Sequence, residues 1–336
     1  MRKRVPRSCS QSSRRSGNWF SQWRFRCRIR TALNDSKQSR VGYRGRLAPS
    51  PTGYMHLGHA RTFWAAQERA EAQGGVLVLR NEDLDRDRCR PEFVTAMLED
   101  LRWFGLRWQE GPGVGGAFGP YSQSERRAVY IRTFEQLRSG GFLYPCKCSR
   151  RDVERAIGAP HAGEAEPLYP GTCRHDVELQ VPQQAWNPGD NLSLAPSHQG
   201  PRISWRFRVP DGEKLSFVDG AMGPQSFVAG EDFGDFLVWR HDGVPSYQLS
   251  VVADDAAMEI SEVVRGSDLL LSTARQILIY SALGVRVPEF FHCPLMTDEH
   301  GVRLAKRHDA LSLRALRGQG KTPGELRSQS GSSGPA

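Results

Sequence analysis

Apolar positions along the chain fall into short runs that alternate with helical stripes. Tyr43–Ala48 reads as a short strand running into the Pro/Gly-broken loop Pro49-Ser-Pro-Thr-Gly53. A helix over 60–73 follows, with Phe63, Ala66 and Ala70 on one face, and Val76–Leu79 is a compact apolar run typical of a buried parallel strand. The next helix has Pro91 in its first turn, then Val94, Met97, Leu98, Leu101 and Phe104 at helical spacing, and stops at Gly105. Another runs from Ser124 to Arg138, turning Tyr130, Phe134 and Leu137 inward before Gly140-Gly141. From Cys146 to Pro201 the periodicity fails, and Asp176–Pro201, rich in Gln, Pro, Asn and Ser, reads as an insertion or long loop. Order returns with a strand at Ile203–Val209. Phe236–Arg240 and Tyr247–Ala253 flank an Asp242-Gly243 turn, a hairpin signal weakened by Pro245. Ser272 caps a helix that reaches Leu283 and stops at Gly284, and a short helix near Leu311–Arg317 precedes a Gly/Ser-rich tail. Strands alternating with helices predict an α/β fold with a mainly parallel sheet.

Charge changes this picture less than its total suggests. The chain of 336 residues carries a formal +9, but Met1–Arg40 alone holds twelve Lys/Arg against the single acid Asp35. The rest holds 34 bases and 36 acids, so bulk charge is no argument that the body binds RNA. The leader is rich in Arg and Ser without an apolar run, which excludes a secretory signal. It is compatible with a disordered extension or an over-long start, an organelle transit peptide, or an RNA-binding arm. No stretch approaches the roughly 18 apolar residues of a membrane span, which predicts a soluble, cytoplasmic protein, with a monomer as the default. Seven cysteines, three of them at Cys146, Cys148 and Cys173, suit a reducing compartment with a metal site better than a disulfide framework.

The first candidate chemistry lies in Arg46-Leu-Ala-Pro-Ser-Pro-Thr-Gly-Tyr-Met-His-Leu-Gly-His59, at a turn from strand into helix. Free backbone N–H groups and the helix dipole attract phosphate there. His56 and His59 can donate hydrogen bonds to phosphate oxygens as charge develops in a nucleotidyl transfer. Two histidines near a helix start are often structural, but here they sit inside a longer motif.

That motif resembles the "HIGH" region of class I glutamyl-tRNA synthetases and of their shortened relatives, the glutamyl-Q tRNA(Asp) synthetases. The resemblance continues through Arg80-Asn-Glu-Asp-Leu-Asp85, Tyr247-Gln-Leu-Ser-Val-Val-Ala-Asp-Asp255 and Val264-Arg-Gly-Ser-Asp-Leu269, and covers most of 42–307. It implies a Rossmann-like catalytic domain that activates L-glutamate with ATP, Mg accompanying the nucleotide. Glutamate needs an acid for its ammonium and an arginine for its γ-carboxylate, which a bidentate guanidinium reads best. The resemblance puts Arg46, Leu47, Ala48, Pro49, Ser50, Glu82, Tyr247 and Arg265 around the amino acid, and His56, His59 and Lys306 at the ATP. An isolated Glu82 or Arg265 would read as a solvated or structural ion pair; the motifs reverse that.

Cys146-x-Cys148 followed by Tyr169-x-x-x-Cys173 offers three thiolates and a phenolate, enough for tetrahedral zinc. From spacing alone His161 or His175 competes with Tyr169 for the fourth place, and three incidental thiols remain the bland reading. The glutamyl-Q enzymes share the Cys-x-Cys, Tyr-x-x-x-Cys pattern, which implies a structural zinc in an insertion near the tRNA acceptor end. Arg303-Leu-Ala-Lys-Arg307 stands where the family has its "KMSKS" loop: Lys306 matches the lysine that steadies the β- and γ-phosphates, whereas Arg303 and Ala305 depart from the pattern, so turnover could be slower.

Only 30 residues follow Lys306, and below about 40 residues an independent core is hard to form. The expectation is therefore a chain without an anticodon-binding domain, which resembles the glutamyl-Q branch and implies transfer of glutamate to queuosine in tRNA(Asp). A truncated enzyme charging the 3′ end of tRNA(Glu), and a non-catalytic RNA-binding paralogue, are the rival expectations. The chain divides into a leader at 1–41, catalytic halves at 42–145 and 202–317, a zinc-binding insertion with a long loop at 146–201, and a disordered tail at 318–336.

Overall fold

The computed structural model describes residues 42–157, 168–175, 203–296 and 312–328. The leader, the Asp176–Pro201 stretch and the loop bearing Lys306 lie outside them.

The apolar runs at Arg44–Leu47 (β1) and Val76–Leu79 (β2) pair in parallel, Arg46 opposite Val78, and the helix Leu57–Ala72 (α1) makes the crossover. Phe63, Ala66 and Ala70 are its buried face, as their spacing predicts. Pro91–Phe104 (α2) buries Met97, Leu101 and Phe104, and Gly105 ends it in the left-handed region at φ 99°, where a side chain would be strained. A 3-10 turn at Gln123–Glu125 leads into Arg127–Ser139 (α3), which turns Tyr130, Phe134 and Leu137 inward.

Leu143–Cys146 (β3) opens the central part, followed by Arg150–Ile157 (α4). Ser204–Phe207 (β4) lies between β3 and Phe236–Trp239 (β7) in an antiparallel sheet, and Lys214–Asp219 (β5) with Gly223–Val228 (β6) forms a hairpin. β4 and β7 fall within the runs read as strands, whereas the β5–β6 hairpin, with Gly223-Pro224 at the head of β6, went unread.

The chain then returns to parallel pairing. Tyr247–Ala257 (α5) precedes Glu262–Gly266 (β8), which pairs with Glu289–Cys293 (β9) across the helix Leu270–Leu283 (α6). The Ser261 N–H donates to the Arg44 carbonyl at 2.9 Å, so β8 begins beside β1. Leu47, Leu79, Phe104 and Val264 share one hydrophobic core, each such burial contributing about 1.5–3 kcal/mol. Among the described residues, no helix is long and apolar enough to cross a membrane.

The α/β class with parallel pairing is as expected, but three local expectations need correction. Tyr247–Ala253 is helix, not the second arm of a hairpin. Ser246 caps it by accepting from the Leu249 N–H, and Leu249 to Asp255 are buried on every side, so neither the helical nor the strand period stands out. The Asp242-Gly243 turn does exist, with Gly243 at φ 81°; it folds residues 244–246 back on the end of β7, which also pairs with β4, before the helix begins. Ser272 lies inside α6, whose start is set by the 3-10 turn Ser267–Leu269. Finally, the stretch read as a disordered tail contains a helix at Pro323–Ser328 (α8), which follows Leu313–Gly318 (α7) and buries Leu326 against the core.

Candidate active site

The loop after β1 runs beside the segment after β2, because the parallel ladder continues past both strands. The Arg80 N–H donates to the Leu47 carbonyl at 2.8 Å, and the Glu82 N–H to the Pro49 carbonyl at 3.0 Å. Leu47 and Pro49 are buried, Ala48 is half-buried and Ser50 is exposed at the mouth. This is the carboxyl end of parallel strands, where open α/β sheets present ligand sites.

Beneath that mouth lies a buried ion network. Arg80, fully buried, donates from Nη1 to Asp255 Oδ1 at 2.6 Å and from Nη2 to Glu82 Oε1 at 3.0 Å, with Nε 3.7 Å from Asp254. Asp254 is satisfied further by Arg126 at 2.6 Å, Gln123 at 2.8 Å and Tyr130 at 2.9 Å. Burial pushes the Glu82 carboxyl above its usual range, while the Arg80 and Arg46 charges pull it back. Arg46 Nε lies 3.8 Å from Asp255, and its Nη1 donates to the Val264 carbonyl at 2.8 Å, next to Arg265. Arg265 is buried and reaches the half-exposed Tyr247, whose hydroxyl lies 3.5 Å from Nη1. Glu82 and Arg46 therefore share one ion network that reaches β8 at the Val264 carbonyl, and Arg265 with Tyr247 follows at the next residue of that strand.

His56 is the residue before α1 and makes no side-chain cap; His59 sits one turn in and is exposed. An isolated bridge joins His56 to Ser312, and the Leu313 N–H donates to the Met55 carbonyl at 2.7 Å. The chain leaving the Lys306 segment thus rejoins the fold at the histidine motif. Lys306 itself, with Arg303 and Ala305, lies outside the described residues.

The cysteines meet as well. The Sγ atoms of Cys146, Cys148 and Cys173 all lie within 4.8 Å of one another, and Cys148 and Cys173 are 3.5 Å apart. The Tyr169 hydroxyl lies 3.4 Å from Cys146 Sγ and 3.6 Å from Cys148 Sγ. Zn–S bonds of about 2.3 Å set tetrahedral ligands about 3.8 Å apart, so this donor set fits a metal ion of that kind. His175 is exposed and outside the group, and His161 lies outside the described residues. Burial pushes the Cys148 thiol up to about 11, so a cation is what would draw it to the thiolate near neutrality. Arg206 adds positive charge from β4: its Nε donates to Cys146 Sγ at 3.3 Å and its guanidinium covers the Tyr169 ring at 3.7 Å.

With this geometry in view, the comparisons with known proteins are specific. Residues 43–330 match the family of class I tRNA synthetases (E and Q), catalytic domain. The chain belongs to this family. It is 46% identical over 277 residues to a glutamyl-Q tRNA(Asp) synthetase of Nitratidesulfovibrio vulgaris, covering 82% of each chain. To the protein of the same name from Symbiobacterium thermophilum it is 48% identical over 280 residues, covering 83% of this chain and 82% of the other. Its fold is similar to the crystal structure of a glutamate tRNA ligase from Elizabethkingia meningosepticum in complex with its amino acid, with TM-score 0.65 and 30% identity. That likeness covers 79% of this chain and 52% of the other, about half the length of the longer protein. The chain is thus a ligase of the class I tRNA synthetase family.

Sequence reasoning singled out Arg46, Glu82, Tyr247 and Arg265 but missed what holds them. Arg80, Asp254 and Asp255 stood inside the quoted motifs without a role. The signal was available: an Asp-Asp doublet in the otherwise apolar Val251–Ala257 must be paired if that segment is buried. His292 on β9, which contacts Arg265, and Asp219 on β5, which contacts His292, carried no such signal.

Proposed function

We propose that this synthetase activates L-glutamate with ATP and then esterifies queuosine at the anticodon wobble position of tRNA(Asp). In the first step the glutamate α-carboxylate attacks the α-phosphorus of ATP, held as its Mg complex, and pyrophosphate leaves. In the second a hydroxyl of the queuosine cyclopentenediol attacks the acyl carbon and AMP leaves. Arg265 with Tyr247 reads the γ-carboxylate and Glu82 the ammonium. Arg46 and the backbone of Leu47, Ala48, Pro49 and Ser50 shape the amino-acid pocket. His56, His59 and Lys306 donate to the phosphates as charge develops. Cys146, Cys148, Tyr169 and Cys173 hold a structural zinc that ties β3 to the insertion.

One observation supports the activation half: the buried acid Glu82 is linked through Arg80, Asp255 and Arg46 to the Val264 carbonyl, and the buried Arg265 is the next residue of that strand. Such a pair is what a zwitterion with a second carboxylate requires. The acceptor half is supported by relatives named for glutamyl-Q tRNA(Asp) synthesis. The test is transfer of labelled glutamate to tRNA(Asp) with and without queuosine. Label on the anticodon loop of queuosine-bearing tRNA alone is expected. Label on the 3′-terminal adenosine would replace this acceptor with the ordinary charging reaction, and no glutamate-dependent pyrophosphate exchange would remove the activation step.

A further inference from the structure

Reading a γ-carboxylate requires Arg265 to hold one orientation, and the structure shows a device that fixes it. β8 and β9 pair with Arg265 directly opposite His292. Arg265 Nε donates to His292 Nε2 at 3.2 Å, and Nη2 donates to Thr273 Oγ1 at 2.6 Å. Since Nε2 accepts, the ring proton belongs on Nδ1, and Nδ1 donates to Asp219 Oδ2 at 2.5 Å. Thr273 Oγ1 lies 3.1 Å from the Leu269 carbonyl and 3.0 Å from His292 Nε2, so its proton goes to one of these two acceptors and its oxygen accepts from Arg265 in either case. The other carboxylate oxygen, Asp219 Oδ1, accepts three backbone N–H groups, from Ala221 at 3.0 Å, Met222 at 2.9 Å and His292 at 3.1 Å. Asp219, His292, Thr273 and Arg265 are all buried. Burial pushes the His292 imidazole below its usual value, against the pull of Asp219 and with the neighbouring Arg265 charge acting in the same direction as burial.

We infer that Asp219 and His292 are positioning residues for amino-acid recognition: Asp219 selects the Nδ1–H tautomer of His292, whose Nε2 lone pair aims Arg265 at the side-chain carboxylate of the substrate. The inference rests on the reading of Arg265 as the reader of that carboxylate. It gives the β5–β6 hairpin a task in specificity, because Asp219 closes the hairpin while setting the ring.

An isosteric change isolates the tautomer from the packing. In Asp219→Asn the three backbone donors at Oδ1 demand an oxygen there, so the new amide must turn its NH2 toward His292 Nδ1. His292 then carries its proton on Nε2, so it no longer accepts from the Arg265 Nε–H and turns to Thr273 Oγ1, the oxygen to which Arg265 Nη2 also donates. His292→Leu removes the acceptor, whereas His292→Gln places Oε1 near the position of Nε2 and restores it.

The experiment is glutamate-dependent ATP–pyrophosphate exchange with the full chain, measuring KM for glutamate and for ATP, and the preference for glutamate over glutamine. For Asp219→Asn and His292→Leu, KM for glutamate is expected to rise roughly ten- to hundredfold, the loss of one hydrogen bond to a charged group. KM for ATP stays put, the preference over glutamine falls, and His292→Gln recovers most of the loss. A KM for glutamate within about twofold of the parent in Asp219→Asn and His292→Leu overturns the inference. So does a parallel rise in both KM values, or a failure to fold by Asp219→Asn accompanied by no recovery in His292→Gln over His292→Leu. Arg265→Gln separates the two levels. If it leaves KM for glutamate unchanged, the underlying reading of Arg265 fails; if it raises KM while Asp219→Asn and His292→Leu do not, only the positioning inference fails.

Discussion

Replacing Arg80 by methionine keeps an apolar stem out to about the position of Nε and removes the charged guanidinium at the centre of the buried network. Arg80 faces Asp255 at 2.6 Å, Glu82 at 3.0 Å and Asp254 at 3.7 Å. Asp254 keeps Arg126, Gln123 and Tyr130, so it survives the change. Among the described residues Asp255 keeps only the more distant Arg46 at 3.8 Å, and Glu82 loses its hydrogen-bonded cation. Removing one partner of a buried pair costs about 3–5 kcal/mol, and with two carboxylates left short the upper part of that range applies, about 4–5 kcal/mol. Against a total stability of about 5–15 kcal/mol this is severe. The sign with pH follows from the same charges. Without Arg80 the folded-state pKa of Glu82 rises further above its unfolded value. The deficit is therefore largest at neutral pH and shrinks as pH falls toward the ordinary carboxylate range. Urea unfolding of the parent and of Arg80→Met at pH 7.5 and pH 5 measures both effects. Adding Asp255→Asn should recover roughly 1–3 kcal/mol in the double-mutant cycle. A single-variant cost below about 1 kcal/mol, or a deficit that grows on acidification, would refute the argument that desolvated carboxylates dominate here.

Two further outcomes test the regions flanking the cluster. Burial pushes the Asp100 carboxyl up to about 6, neither oxygen has a hydrogen bond among the described residues, and the nearest cation is Arg314 Nε at 3.6 Å. A raised folded pKa means the ionised form costs stability above pH 6, by at most about 3 kcal/mol, and the cost disappears as pH falls toward 4. Asp100→Asn should accordingly unfold at higher urea than the parent at pH 8 and with it at pH 4; equal midpoints at pH 8 would contradict this. For the thiol cluster, elemental analysis should find one zinc per chain, lost together with several degrees of melting temperature in Cys146→Ala/Cys173→Ala. Metal-free protein that melts with the zinc-loaded form would dismiss the site.

The elements legible from sequence were those with an unambiguous period: the α1 stripe of Phe63, Ala66 and Ala70, the α2 stripe ending at Gly105, and the apolar β2. Each carries its burial pattern locally, so no knowledge of the rest of the chain was needed. Tyr247–Ala257 failed that test because a helix buried all round has no polar face to mark its period. The candidate site divides the same way. The residue types at Arg46, Glu82, Tyr247 and Arg265, and the Cys-x-Cys pair, announce their chemistry in one dimension. Their assembly does not. Arg80 gains its role only because Asp254 and Asp255 come from a helix far along the chain, and Arg265 is aimed by His292 and Asp219 from two other strands. Hydrogen-bond partners of that kind are set by which strands lie adjacent, here β8 opposite β9 with the β5 end beside it. Sequence thus determined which chemical groups this synthetase has to work with. Tertiary structure alone decided which of them are buried, paired and held still, because desolvation and hydrogen-bond geometry exist only once distant segments meet.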